Sequence, residues 1–250
     1  MTKISEIYAY IDKIAPFDSA MDFDNCGLLC GNKHTEAKRV LVCLDITAPV
    51  IEEAKRLGCN LIISHHPIIF KPLYSLESSS VPYKLASSGI TAICAHTNLD
   101  ISPVGTNAQL AKMLDLSDIE MIENEPIAIG RLKHEMSPLN FARHVKERLG
   151  CKGLRYLSGN KNIKTVGVCT GAGGDMLCKI SDKTDAFITG EIKHHELINA
   201  SAMNMTVADI GHYRSEFIVC APLASILSNR FKDVEFIVSQ SDTELTEYMV

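Results

Sequence analysis

Short apolar runs recur along the chain at 38–44, 60–63, 90–95, 127–132, 164–170, 185–189, 205–210 and 234–239, each of a length suited to a β-strand. Most are separated by stretches whose apolar residues repeat at helical spacing. The clearest are 48–57 (APVIEEAKRL), which stops before Gly58, and 138–149 (PLNFARHVKERL), which has Ser137 as its cap, Pro138 at its first position and Gly150 as its stop. The strands are apolar throughout rather than alternating, which suits a sheet covered on both faces. Strand and helix in turn therefore predict βαβ units and an α/β fold.

The pattern repeats. VLVCLDIT (40–47) matches VGVCTGAGGD (166–175), and each is followed by a strand and an adjacent histidine pair: NLIISHHPIIF with His65 and His66, DAFITGEIKHHE with His194 and His195. A further strand in each copy ends in a histidine with a carboxylate four residues on, His96 and Asp100 in TAICAHTNLD, His212 and Glu216 in TVADIGHYRSE. The first copy is longer because of the segment 70–83, whose Pro, Ser and Tyr content predicts a surface loop. The repeat predicts two α/β halves, 1–122 and 123–250, joined near the acidic stretch IENEPIA. Together they would form one compact unit with a pseudo-twofold axis and a shared metal cleft.

A histidine pair directly after a buried strand leaves the sheet at its carboxyl edge, where open α/β sheets place ligands. Neighbours on an extended strand point to opposite faces, so His65 and His66 reach one ion only if the chain turns there, and otherwise serve two. Pro67 favours such a departure from strand geometry. His212 and Glu216, at the start of an expected helix (HYRSEFIVCAPLASIL), project from one face a turn apart. His96 and Asp100 have the same spacing, although Asn98 and Pro103 weaken the case for a helix. Imidazole and carboxylate without thiolate suit zinc, manganese, iron, cobalt or nickel. Two such ions about 3.5–4 Å apart would make a hydrolytic centre. Asp45, at a strand's carboxyl end, is placed to orient a ligand histidine. The Gly-rich turn TGAGGD (170–175) offers amides to an anion or, equally, permits tight packing, while DFDNCGLLCG (22–31) reads as a structural turn, with a substrate-facing edge as the alternative.

Charge narrows the partners. The 250 residues carry a net charge of −5 and no Lys/Arg block, which argues against an extended grip on nucleic acid. No apolar run is long enough to span a bilayer, and MTKISEIYAYIDKIAP has charges inside a helical period rather than the apolar core of a signal peptide, so a cytoplasmic location is expected. The nine cysteines, with no CxxC among them, read as reduced and mostly buried thiols.

In the order DNCGLLCG, VLVCLDIT, IISHHPIIF, AHTNLD, TGAGGD, ITGEIKHHE and GHYRSE, the chain resembles the Nif-three-like family (Ngg-one-interacting factor three), whose bacterial members are often labelled GTP cyclohydrolase 1 type 2 homologues. The resemblance runs through essentially the whole chain. It implies a two-domain α/β fold with a dinuclear metal centre and a toroidal homohexamer. Carried over by motif, the metal ligands would be His65, His66, Asp100, His212 and Glu216. His96 would lie close by, and His194 and His195 would border the ligands or face substrate. The expected function is a dinuclear metal-dependent hydrolase of a nucleotide-like or phosphorylated small molecule, with a GTP cyclohydrolase-type ring opening as one form and His96 and His194 as acid–base candidates. The alternative is a non-catalytic metal-binding scaffold or metallochaperone that recruits a protein partner.

Overall fold

The computed structural model describes residues 1–247 and 249. In chain order it forms helix α1 (Ile4–Ile14), strands β1 (Gly27–Cys30) and β2 (Arg39–Cys43), helix α2 (Ala48–Leu57), strand β3 (Leu61–Ser64), helix α3 (Val81–Ser88), strand β4 (Thr91–Cys94) and helices α4 (Thr97–Ile101) and α5 (Thr106–Met113). Strands β5 (Ser117–Met121) and β6 (Ala128–Met136), helix α6 (Pro138–Leu149), strands β7 (Arg155–Leu157) and β8 (Ile163–Cys169) and helix α7 (Leu177–Ile180) come next. The chain closes with strand β9 (Ala186–Thr189), helix α8 (His194–Ala202), strand β10 (Thr206–Asp209), helices α9 (His212–Glu216) and α10 (Cys220–Arg230) and strand β11 (Glu235–Val238).

These elements make two compact units, which do not divide at residues 122 and 123. The first comprises Met1–Val104 and Val219–Thr243, and the second Gly105–Ile218 with the residues from Glu244 on. The cause is the return of the chain to its first sheet. Strand β11 pairs in parallel with β2, Phe236 beside Val40 and Val238 beside Val42, and α10 lies against both strands. The first sheet therefore runs β1-β4-β3-β2-β11, parallel except for β1. The second runs β5-β6-β8-β9-β10-β7, with a parallel centre of β8, β9 and β10 and antiparallel strands on either side.

Every apolar run becomes a strand close to its expected place. Leu41, Cys43, Ile62 and Ala92 pack on one face of the first sheet with Val50, Ile51 and Ala54 of α2 and Leu85 of α3. Their alternates Val40, Val42, Leu61, Ile63 and Ile93 are buried as well, as a sheet covered on both faces requires. In the second unit Val166, Val168, Ala186, Ile188 and Ala208 pack with Phe141 and Val145 of α6, while Phe187 and Val207 pack with Leu177 and Ile180 of α7. Ser137 accepts from the Asn140 amide, and Gly58 and Gly150 end α2 and α6 in the left-handed region, all as expected; Thr47 adds a cap at the start of α2, accepting from the Val50 amide. Three strands go beyond the apolar runs. Each of β1, β5 and β7 is an edge strand, and an edge exposes residues that a buried strand would keep apolar.

The returning segment is pinned by one carboxylate. Glu53 of α2 is buried and accepts from the Ser239 hydroxyl at 2.5 Å and the Gln240 and Ser241 amides at 3.0 Å. Burial favours its neutral form, but these hydrogen bonds outweigh burial and lower its pKa. A carboxyl depressed in the folded state stabilises above its unfolded pKa, about 4.3 for glutamate, and that contribution fades as pH falls through the lower folded value. Glu53→Ala should cost about 2–3 kcal/mol at pH 7 in urea denaturation, and its loss of stability below pH 4 should be shallower than the parent's. An unchanged acid limb would show that Glu53 is not the group responsible.

Candidate metal-binding residues

In the first unit the parallel strands end together, and their carboxyl ends carry the polar groups. The ladder continues one step past β3, the His65 and His66 amides donating to the Cys43 and Leu44 carbonyls at 3.1 and 2.9 Å. The chain then bends, and the Ser64 hydroxyl donates to the His66 carbonyl at 2.8 Å, closing a turn before Pro67. The turn that the sequence left open thus occurs. The rings of His65 and His66 lie 5.2 Å apart, and His96, at the end of β4, is 5.1 and 5.5 Å from them. Each of the three offers a ring nitrogen within 4.8 Å of the others.

All three rings are held the same way. Nδ1 of His65 meets the Ala95 carbonyl, that of His66 the Asp45 carboxylate and that of His96 the Asp24 carboxylate, each at 2.9 Å. Against an acceptor Nδ1 must carry the proton, so the lone pair lies on Nε2. His65 is buried, and its Nε2 stands 3.5 Å from an oxygen of Asp100, itself buried on α4. A lone pair and a carboxylate so close inside a protein call for positive charge beside them. This arrangement suits a divalent cation with imidazole and carboxylate ligands, and no thiolate is among them.

Asp45 orients His66 as its position suggested. The role of Asp24 was not foreseen: its phrase was read as a structural turn or a substrate-facing edge, yet its buried carboxylate also accepts from the Thr97 amide and hydroxyl at 3.0 and 2.5 Å and the Cys26 thiol at 3.0 Å. Burial opposes its charge, but the hydrogen bonds from His96, Thr97 and Cys26 prevail and hold it well below the usual carboxylate range. Besides the DNCGLLCG motif itself, the signal was two acidic residues shortly before a GLLC run.

The second unit builds around α9. His212 and Glu216 stand one turn apart, Nε2 to carboxylate 2.9 Å, while Nδ1 of His212 meets Glu191 at 2.8 Å. Gly171, in the left-handed region, comes so close that a Cβ there would lie 2.1 Å from Glu216 Oε1. Its amide donates to Ser215 Oγ at 2.9 Å, and that hydroxyl donates on to the His212 carbonyl at 2.8 Å. The Thr170 and Gly173 amides are likewise taken, by Asn107 and Thr189. The TGAGGD turn therefore receives α9, and these three amides serve no anion.

The strand registers also correct the reading of the repeat. Ser64 follows Cys43 in register as Thr189 follows Cys169, so His65 and His66 correspond to Gly190 and Glu191. His194 and His195 come later, exposed at the start of α8, and among the described residues they join no group of three potential ligands. The last strands show a smaller offset: Cys94 matches Asp209, which sets His96 against Gly211 and Thr97 against His212. Residues 97–101 are helical despite Asn98 and Pro103, because Pro103 follows the last turn. Conversely, the helix expected from His212 is interrupted by a 3-10 turn at Phe217–Val219.

The profile of the Duf34/NIF3 (NGG1p interacting factor 3) family matches residues 2–244. A Campylobacter jejuni protein named GTP cyclohydrolase 1 type 2 homolog is 33% identical over 247 residues, covering 96% of this chain and 98% of its own. One of the same name from Clostridium perfringens is 31% identical over 261 residues, covering 99% of this chain and 100% of its own. The solved structure of the Staphylococcus aureus protein SA1388 matches with a TM-score of 0.92 at 28% identity over 99% of both chains. A Bacillus cereus protein related to NIF3 shares the fold, with a TM-score of 0.90 at 21% identity over 99% of both chains. Among the described residues no helix is long and apolar enough to cross a membrane.

Proposed function

Since the chain belongs to the Duf34/NIF3 family, we propose that it is a dinuclear metal-dependent hydrolase of a nucleotide-like or phosphorylated small molecule, with His65, His66, Asp100, His212 and Glu216 as the ligands of two divalent ions. The observation that supports this reading is the common anchoring of the three clustered imidazoles through Nδ1, which sets the Nε2 of His65 and His66 as donors to a cation and that of His96 as the atom for proton transfer. The name shared by the relatives makes purine ring opening the first reaction to test. Assembly as a cytoplasmic homohexamer belongs to the same proposal.

Bound divalent ions would supply Lewis-acid polarisation and a nucleophile near neutral pH. The chain's own groups do the rest. Asp100 and Glu216 bring negative charge from buried positions, where it is felt strongly. Asp45 and the Ala95 carbonyl fix two ring orientations, and Glu191 fixes that of His212. Of the two acid–base candidates, His96 has a buried carboxylate at Nδ1 that would stabilise its imidazolium while Nε2 exchanges a proton with substrate. His194 has an exposed ring on α8, so the proton is assigned to His96.

The test is elemental analysis of protein purified without added metal, then a nucleotide and phosphoester hydrolysis screen with the native ion restored. About two ions per chain and a turnover abolished in Glu216→Ala are expected. Less than one ion per chain in the parent, or a Glu216→Ala variant that keeps both ions and rate, would overturn the proposal. A protein that holds its ions but hydrolyses nothing would be the metal-binding scaffold instead.

A further inference from the structure

Two exposed aromatic residues of the first unit lie beside the histidine cluster. Phe23 is 62% exposed and Phe70 44%, and their rings stand 6.2 Å apart at 54°. Phe70 in turn lies 6.4 Å from the His96 ring, nearly edge-on at 79°. Two aromatic rings left in water next to polar, hydrogen-bonded imidazoles forgo burial that the core of this unit offers elsewhere.

Their backbones, in contrast, are held. The Asn25 side chain donates to the Ile69 carbonyl at 2.5 Å, tying the loop of Phe23 to the loop of Phe70. Between Phe23 and Asn25 sits Asp24, the buried carboxylate that anchors His96. The same three residues thus set the position of His96 and of one ring, while Pro67 and the His65–His66 turn lead directly into the other. Rings tilted at 54° are not stacked on each other, and both residues are exposed, so that a flat third ring can stack on an outer face of the pair.

We propose that Phe23 and Phe70 form a stacking wedge for a nucleobase, which sets substrate preference by presenting a planar heteroaromatic ring next to His96. The proposal rests on the hydrolase reading above and deepens it, since it names the part of the substrate that this unit recognises. An aromatic wedge suits a base in particular: both faces of the ring are apolar and polarisable, whereas a sugar phosphate offers no face to stack. The exposed Leu73, Tyr74 and Leu76 lie farther along the same loop and are not part of the wedge.

Binding separates this idea from catalysis. Calorimetric titration of the metal-containing protein with guanosine 5′-monophosphate and with ribose 5-phosphate should show a preference for the nucleotide. The double variant Phe23→Ala/Phe70→Ala should lose about tenfold or more of the nucleotide affinity, stacking of one base being worth roughly five- to a hundredfold, with ribose 5-phosphate binding and metal content unchanged. Phe23→Tyr/Phe70→Tyr should restore the preference. A parent without preference, or a double alanine variant that keeps it, overturns the wedge. If the alanine variant keeps the preference but sediments as a smaller species, the rings serve a contact between copies of this chain. Metal content measured on the same samples reports on the hydrolase reading separately.

Discussion

If the proposed metal site is right, alanine at Gly171 weakens metal binding about ten- to a hundredfold while leaving both sheets intact. The residue has φ +63, a conformation that costs an L side chain about 1–2 kcal/mol, but the larger effect is contact. The added methyl would sit 2.1 Å from Glu216 Oε1, 3.1 Å from its carboxyl carbon and 3.5 Å from His212 Nε2. Glu216 cannot yield cheaply, because its side chain is buried and α9 is tied down through Ser215. Gly190 closes the other side: a Cβ there would meet Ser215 Oγ at 2.5 Å and the His212 Cα at 2.9 Å. The carboxylate must therefore turn away from the position proposed for a metal ligand. A fall of about ten- to a hundredfold in metal affinity is expected, of the size found when groups that support metal ligands are removed. Metal titration checks the affinity and far-ultraviolet circular dichroism checks the fold. Full metal content at unchanged affinity would mean that Glu216 does not need the clearance at Gly171.

Removing the Asp24 carboxylate should give the largest loss of stability for a single change outside the apolar core. Its side chain is wholly buried and receives hydrogen bonds from His96, from the Thr97 amide and hydroxyl, from the Asn25 amide and from the Cys26 thiol. In Asp24→Ala these donors lose an ionised acceptor without gaining water, and the loss should be about 3–5 kcal/mol in urea denaturation. Asp24→Asn keeps the volume but turns an amide group toward donors, so it should fall between. The same substitution frees the His96 ring: its Nδ1 proton, held against Asp24 at 2.9 Å, should broaden or vanish from the imidazole region of the proton spectrum. A loss below about 1 kcal/mol would place the carboxylate among ordinary surface groups.

Much of this was legible along the chain because the deciding interactions are local. An apolar run between turns becomes a buried strand whatever its neighbours are, and Ser137 and Gly150 bound α6 through contacts within a few residues. Asp45 could be assigned to a ligand histidine because a residue at a strand's carboxyl end has few places to point. Asp24, Glu191 and Gly171 were not legible in the same way. Their roles depend on which loops meet at the ends of neighbouring strands, and that follows from strand order, not from spacing. Dipeptide likeness misled for a related reason. His194 and His195 imitate His65 and His66 in letters, but register counts from the last paired residue, and after Thr189 the second unit enters a loop first.

Strand β11 and its parallel pairing with β2 carry a consequence for biosynthesis. A ribosome releases Gly105–Ile218 as one continuous stretch, so the second sheet has all of its strands while the first still waits for β11. Until then β2 is a bare edge of apolar backbone, the kind of edge that recruits other chains. The later synthesis of α10, β11 and Ser239, which Glu53 anchors, is what converts that edge into an interior strand. The nascent protein thus passes through a vulnerable window that the finished one never revisits, and it is closed by residues far in sequence from those they protect.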